Sequence, residues 1–142
     1  MPAGTLGGFE TITFPTSKRV LVIAIDSLFA QYPDYRIPDK WKKEDDWKER
    51  GYGFLDSRIY YFKTKPEEMY YVSFCGDAND SLQIDTTRTG ISIRAIDDSI
   101  NYRWTKESDI SSSEKRRIEK RFQDEIILKL EHYTNSKALV EQ

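Results

Sequence analysis

The chain has 142 residues, close to the usual size of one domain, and 38% of them are hydrophobic while 13% are aromatic. The aromatic content excludes intrinsic disorder, and a formal charge of −2 disfavours a dedicated nucleic-acid-binding protein. A single cysteine, Cys75, and a single histidine, His132, exclude an internal disulfide and a structural zinc site. We therefore expect a single domain over residues 1–142 without a metal or a cofactor.

We expect both ends of the chain to lie outside the packed domain. Residues 1–8 lack a basic segment and an apolar stretch, so they do not resemble a signal peptide. We interpret them as a flexible leader and residues 136–142 as a loose tail. No apolar run is long enough to span a membrane. The compartment expected for the sequence as written is the cytoplasm, and removal of a signal peptide would imply export.

Two elements are predicted at the start of the domain. Residues 9–14 alternate apolar and polar side chains, which predicts a strand. Thr16 or Ser17 is placed to cap a helix over residues 18–31. The apolar, β-branched run at residues 20–25 is also typical of a buried strand, but an apolar face that continues for more than two turns favours the helix.

Residues 32–52 combine two prolines, alternating charges and five aromatic side chains. The prolines predict an extended passage, and residues 40–50 predict a short solvated helix that Gly51 ends. Aromatic rings beside polar groups bind sugars, peptides and other proteins, so this segment is the candidate binding site. A linker that uses its aromatic side chains to attach itself to the core is the favoured alternative. The candidate binding residues are Tyr32, Tyr35, Trp41, Trp47 and Tyr52.

The middle of the chain predicts an antiparallel meander. Lys65-Pro-Glu-Glu is a turn between two aromatic-rich strands, and residues 97–99 turn the chain before the last strand. The aromatic side chains from Tyr60 to Phe74 are expected inside the protein. The predicted strands are residues 54–63, 69–75, 82–86, 91–96 and 100–104.

The C-terminal part predicts a long amphipathic helix. Ser111 and Glu114 form the Ser-x-x-Glu pattern of a capping box, and Asn135 ends the helix. An apolar stripe recurs along it at helical spacing, which predicts packing against the sheet. The stripe consists of Ile118, Phe122, Ile126, Leu130 and Tyr133.

Two local motif matches are rejected. Residues 50–57 resemble the RNP1 octamer of RNA-recognition motifs, but Ser57 replaces an aromatic that stacks on a base, and a strand follows where that family has a helix. Residues 77–88 begin like a calcium loop, but Leu82 replaces the essential glycine and Arg88 the coordinating glutamate. We therefore expect neither a nucleic-acid partner nor a calcium ion.

The predicted class is α+β, an antiparallel meander packed on a long C-terminal amphipathic helix, with an N-terminal strand and helix. This element order is similar to the helix-grip layout of START and Bet v 1-like proteins, which implies an apolar ligand between sheet and last helix. A cystatin-like or NTF2-like packing fits the same order.

Three functional hypotheses follow. The first is a non-catalytic binding or interaction module that uses the aromatic-rich surface for a protein or sugar partner. The second is a carrier of a small apolar ligand between the sheet and the C-terminal helix. The third is an enzyme whose carboxylates converge only in the folded chain. Exposure of Trp41 and Trp47 would favour the first, and a cavity between sheet and helix would favour the second.

Overall fold

The computed structural model describes residues 9–39, 41, 57–64, 66–74, 87–98, 104–106 and 110–141. These residues form an α+β fold with a six-stranded antiparallel sheet and a long C-terminal helix, which confirms the predicted class. The strands are β1 (Thr11–Phe14), β2 (Ser57–Phe62), β3 (Glu68–Phe74), β4 (Thr89–Asp98), β5 (Trp104–Lys106) and β6 (Leu139–Glu141). The helices are α1 (Lys18–Gln31), α2 (Ser112–Phe122) and α3 (Leu128–Thr134), with a short 3-10 turn at Pro33–Tyr35.

The ten-residue strand β4 lies at the centre of the sheet, whose order is β2-β3-β4-β1-β6. The first half of β4 pairs with β1 and its second half with β5. A bulge at Arg94 lets Tyr71 pair with Ala95 while Val72 pairs with Ile93. Because the bulge adds one residue, the alternation of side chains changes phase. Ile96 therefore reaches the same core as Ile93.

The main core lies between one face of the sheet and the helices. Alternate residues of β2 and β3 fill it, and the ring of Tyr60 stacks on Phe29 of α1. The remaining side chains of these strands, such as Tyr61 and Met69, form a smaller cluster on the opposite face with Trp41. The prediction that the aromatic side chains from Tyr60 to Phe74 are internal is confirmed.

The helix predicted over residues 18–31 is confirmed. Ser17 is its N-cap, and the Ser17 hydroxyl accepts a hydrogen bond from the Val20 N–H at 3.2 Å. Val20 and Ile23 are exposed, so two β-branched residues of the ambiguous run lie on the outer face. The buried face decides in favour of a helix, because its members recur at helical spacing. They are Leu21, Ala24, Ile25, Leu28 and Phe29.

The C-terminal helix comprises α2, a π turn at Gln123–Ile127 and α3. Ser111 caps it by accepting the Glu114 N–H at 3.3 Å, and Asn135 ends it in the left-handed conformation at φ 52°, as predicted. The π turn adds a residue to the helical repeat. Ile127 consequently joins the predicted stripe as a fully buried residue.

Glu68 is a buried charge at the contact between sheet and helix, with only 2% of its surface exposed. The Glu68 carboxylate accepts two hydrogen bonds from Arg117, at 3.0 and 3.1 Å, and one from Arg121 at 3.0 Å. The Tyr70 hydroxyl donates a fourth at 2.7 Å. Hydrogen bonding to Glu68 raises the pKa of the Arg117 guanidinium, which therefore stays charged.

Arg121 extends this network to the turn between β2 and β3. Its Nε donates to Glu125 at 2.8 Å, and its Nη1 donates to the Pro66 carbonyl as well as to Glu68. Its Nη2 donates to the carbonyl and the hydroxyl of Thr64. All five guanidinium N–H donors are thereby used, which satisfies a side chain that is only 10% exposed.

Three predictions of local structure are wrong. Asp97 and Asp98 continue β4 instead of forming a turn, because the strand pairs with both β3 and β5 there. Glu68 belongs to β3 and not to the turn before it. The predicted tail at residues 136–142 is not loose at residues 139–141, which form β6 and satisfy the outer edge of β1. The leader at residues 1–8, most of the helix at residues 40–50 and the strand at residues 82–86 lie outside the described residues.

Tyr60 generates a testable prediction about stability. Its ring is fully buried, and its hydroxyl has no hydrogen-bond partner within the described part of the chain. We expect Tyr60→Phe to raise the free energy of unfolding at pH 7 by about 1 kcal/mol, because an unsatisfied buried hydroxyl is removed. Urea unfolding followed by circular dichroism measures this difference.

The same variant has a predicted pH dependence. Burial raises the pKa of the Tyr60 phenol above its ordinary value of 10.0. Below pH 10 the phenol is protonated in both states, so the stability of the wild type does not depend on its ionisation. As the pH rises from 10 towards the raised value, the wild type loses stability, because only the unfolded chain ionises in that window. Above pH 10 the wild type should lose up to about 1.4 kcal/mol per pH unit more than Tyr60→Phe. Parallel pH curves for the two proteins would contradict this assignment.

Candidate functional site

Two concave surfaces flank the C-terminal helix at its π turn. Gln123 lines the first surface and Asp124 lines the second. Single π turns in long helices are frequent at functional sites, because the added residue changes the direction of the side chains that follow. The two surfaces are the candidate functional sites of the described chain.

The first surface, named the apolar groove, lies between the sheet and the C-terminal helix and has a volume of about 310 Å³. Its floor consists of Phe9, Ile12 and Ile93 from the sheet side and Phe122 from the helix. All four side chains are buried. The volume lies near the lower end of the range for small-molecule sites, roughly 300–1,000 Å³.

A polar rim borders the apolar groove. The Glu10 N–H donates to the Glu119 carboxylate at 3.2 Å, which links the start of β1 to the helix. Lys120, also on the rim, forms an ion pair with Asp124 at 2.8 Å. Val140 of β6 is 49% exposed and lines the same groove. The arrangement suits a ligand with an apolar body and one polar end.

The second surface, named the tyrosine groove, lies between the end of α1 and α3 and has a volume of about 280 Å³. Tyr32 is 42% exposed and Leu128 is 48% exposed. The ammonium of Lys129 lies 4.9 Å from the centre of the Tyr32 ring. The other lining residues are Gln31, Asp124, His132 and Tyr133. An aromatic ring, an imidazole, an amide and a carboxylate therefore share one surface.

Tyr32 and Tyr35, two of the predicted binding residues, lie close together, with ring centroids 6.1 Å apart. Tyr35 is half-buried, and its hydroxyl donates to Glu125 at 3.1 Å. Burial and the Glu125 carboxylate raise the pKa of the Tyr35 phenol. Tyr35 thus contacts Tyr32 at the edge of the tyrosine groove without lining it.

Trp41 lies away from both tyrosines. It is 7% exposed, and its indole N–H donates to Glu67 at 3.1 Å on the opposite face of the sheet. The Tyr61 hydroxyl donates to the same carboxylate, and burial with Glu67 raises the pKa of the Tyr61 phenol to about 12. Trp41 therefore attaches its segment to the second core. Trp47 and Tyr52 lie outside the described residues, and the binding role of the five aromatics stays a prediction.

Of the residues that line the two grooves, sequence reasoning named only Tyr32 as a binding residue. Val140 was assigned to a loose tail, although the short apolar run at residues 138–140 is a detectable strand signal. Leu128 follows the π turn directly. The extra residue in that turn changes the side of the helix on which Leu128 lies, so regular helical spacing does not predict its position. No local pattern marks these positions as a shared surface.

In comparisons with known proteins, no protein-family model matches the chain, and no curated protein or solved structure matches it. Within the described ranges, no helix has the length and apolar character needed to cross a membrane. The described residues also contain no group of three or more His, Cys, Asp or Glu side chains placed to hold a metal ion.

Proposed function

We propose that the protein is a non-catalytic binding protein that holds a small apolar ligand in the apolar groove. The observation that carries this proposal is a concavity of about 310 Å³ whose floor is apolar and whose rim is polar. Its place between sheet and C-terminal helix is the one expected from the helix-grip resemblance. The ligand class is a compound with a short hydrocarbon body and a single polar end.

The energetics of such a ligand come from its apolar body. Each methylene group that leaves water for the groove floor contributes about 0.8 kcal/mol. Two extra methylene groups therefore improve affinity by roughly tenfold or more, until the groove is full. The polar end contributes orientation, because it stays at the rim beside Glu10 and Glu119.

The first test titrates the protein with 1-hexanol and with 1-butanol and follows ¹H–¹⁵N NMR spectra. We expect saturable shifts of the amides of Ile12, Ile93 and Phe122, with 1-hexanol binding at least about tenfold more tightly than 1-butanol. The variant that tests the site is Val140→Trp. Val140 is exposed at the mouth of the groove, so a larger side chain there should fill the entrance.

The matched control for Val140→Trp is Leu139→Trp in the same strand. Leu139 is 68% exposed and is not among the lining residues of the groove. Val140→Trp should weaken 1-hexanol binding at least tenfold, whereas Leu139→Trp should leave it unchanged. Equal affinities for both variants and the wild type would refute the proposal.

A second candidate function uses the aromatic-rich surface for a sugar. The exposed ring of Tyr32, beside Gln31, Asp124 and His132 in the tyrosine groove, is the observation that favours it. Sugar rings bind proteins through an aromatic face and several polar groups. Lys129 lies over the Tyr32 ring, so a bound sugar would replace or adjoin this cation.

The sugar hypothesis predicts that one member of a panel of mono- and oligosaccharides shifts the NMR signals of Tyr32, Gln31 and His132 saturably. Tyr32→Phe retains the ring and should retain binding, whereas Tyr32→Ala should lose it by at least tenfold, since the stacking surface is gone. The hypothesis fails when no sugar of the panel saturates these signals, or when both variants bind equally.

A further inference from the structure

A third concave surface, named the arginine pocket, lies where the end of α1 approaches β2. It has a volume of about 250 Å³. It shares no lining residue with the apolar groove or the tyrosine groove. Its described lining residues are Phe29, Arg36, Ile37, Ser57, Arg58 and Ile59.

The charge of the arginine pocket contrasts with that of the whole protein. Arg36 and Arg58 both line it, and its described lining contains no acidic side chain. The chain as a whole carries a formal charge of −2. A cleft lined by side chains of one charge raises the local concentration of an oppositely charged ligand.

Arg36 is held against an aromatic ring. Its guanidinium carbon lies 5.3 Å from the centre of the Phe29 ring, and the side chain is exposed. No ion pair between described residues involves Arg36. A guanidinium that lies over a ring keeps its N–H donors at the edge of the stack, where a ligand can accept from them.

Arg58 is positioned by its own strand. Its Nη1 donates to the Ser57 carbonyl at 2.8 Å, and its guanidinium carbon lies 5.7 Å from the centre of the Phe74 ring. The two arginines are thus placed before any ligand arrives. Such preorganisation lowers the conformational entropy lost on binding.

We propose that the arginine pocket binds a small organic carboxylate, with the carboxylate between Arg36 and Arg58. The planar guanidinium presents parallel N–H donors that match the two oxygens of a carboxylate. Phe29, Ile37 and Ile59 contact the apolar body of the ligand. The pocket volume suits a single-ring compound such as an aryl carboxylate. This site is independent of the ligand proposed for the apolar groove.

Benzoate is the probe for this site, and benzyl alcohol is its uncharged counterpart. In ¹H–¹⁵N NMR titrations that include arginine Nε–H signals, benzoate should shift Arg36, Arg58 and the amides of Ser57 and Ile59 saturably. Benzyl alcohol at the same concentration should not, because it offers no charge to the arginines. Higher sodium chloride should weaken benzoate binding, since screening acts on an exposed ion pair.

The matched variants are Arg36→Ala and Arg19→Ala. Both remove one exposed positive charge, but Arg19 does not line the pocket. Arg36→Ala should weaken benzoate binding about tenfold, which corresponds to one charge-assisted hydrogen bond. Arg19→Ala should change the affinity less than twofold. Circular dichroism and the thermal midpoint establish that both variants are folded.

Three results would overturn the proposal. Equal shifts with benzyl alcohol would show that the pocket recognises only the apolar body. Equal weakening by Arg19→Ala would show an unspecific effect of net charge. Saturation by inorganic phosphate without saturation by benzoate would contradict the assignment to an organic carboxylate.

Discussion

The packing of the C-terminal helix on the sheet depends on the buried carboxylate of Glu68. A buried carboxylate is destabilising unless cations and hydrogen bonds surround it, and Arg117, Arg121 and Tyr70 supply them. The preceding residue, Glu67, points to the other face of the sheet and accepts the indole N–H of Trp41. Two adjacent acidic residues at the start of β3 therefore bind partners on opposite faces of the sheet.

The Glu68 network lies beside the apolar groove in sequence and extends towards the tyrosine groove. Arg117 and Arg121 fix α2, and the rim residues Glu119 and Lys120 of the apolar groove stand between them in sequence. From Arg121 the hydrogen bonds continue to Glu125, which accepts the Tyr35 hydroxyl at the edge of the tyrosine groove. The Lys129 ammonium donates to the Glu125 carbonyl at 2.9 Å and lies over Tyr32. One polar network thus runs from the helix–sheet contact to the tyrosine groove.

Local patterns were sufficient to predict α1, the C-terminal helix and the hairpin of β2 and β3, because caps, apolar spacing and turn residues act over a few positions. They were insufficient for Glu68, which was assigned to a turn although it shares a face with Tyr70 by period two. They were also insufficient for β6, which forms because it pairs with the outer edge of β1, a strand distant in sequence. The π turn depends on tertiary packing as well, because it allows both Ile126 and Ile127 to be buried. Sequence reasoning offered the space between sheet and last helix as one hypothesis and named Tyr32 as a candidate binding residue. It did not name the other residues that line the two grooves.

The most direct test of the account compares urea unfolding of Glu68→Gln with that of Glu114→Gln. Both variants remove a carboxylate that pairs with Arg117, but Glu68 is buried and the Glu114 side chain is 52% exposed. We expect Glu68→Gln to lower the free energy of unfolding by about 3 kcal/mol, because two arginines lose a buried charged partner. Glu114 and Glu125 still pair with these arginines, which limits the loss. Glu114→Gln should cost less than about 1 kcal/mol. Equal and small losses in the two variants would contradict the claim that Glu68 holds the C-terminal helix on the sheet.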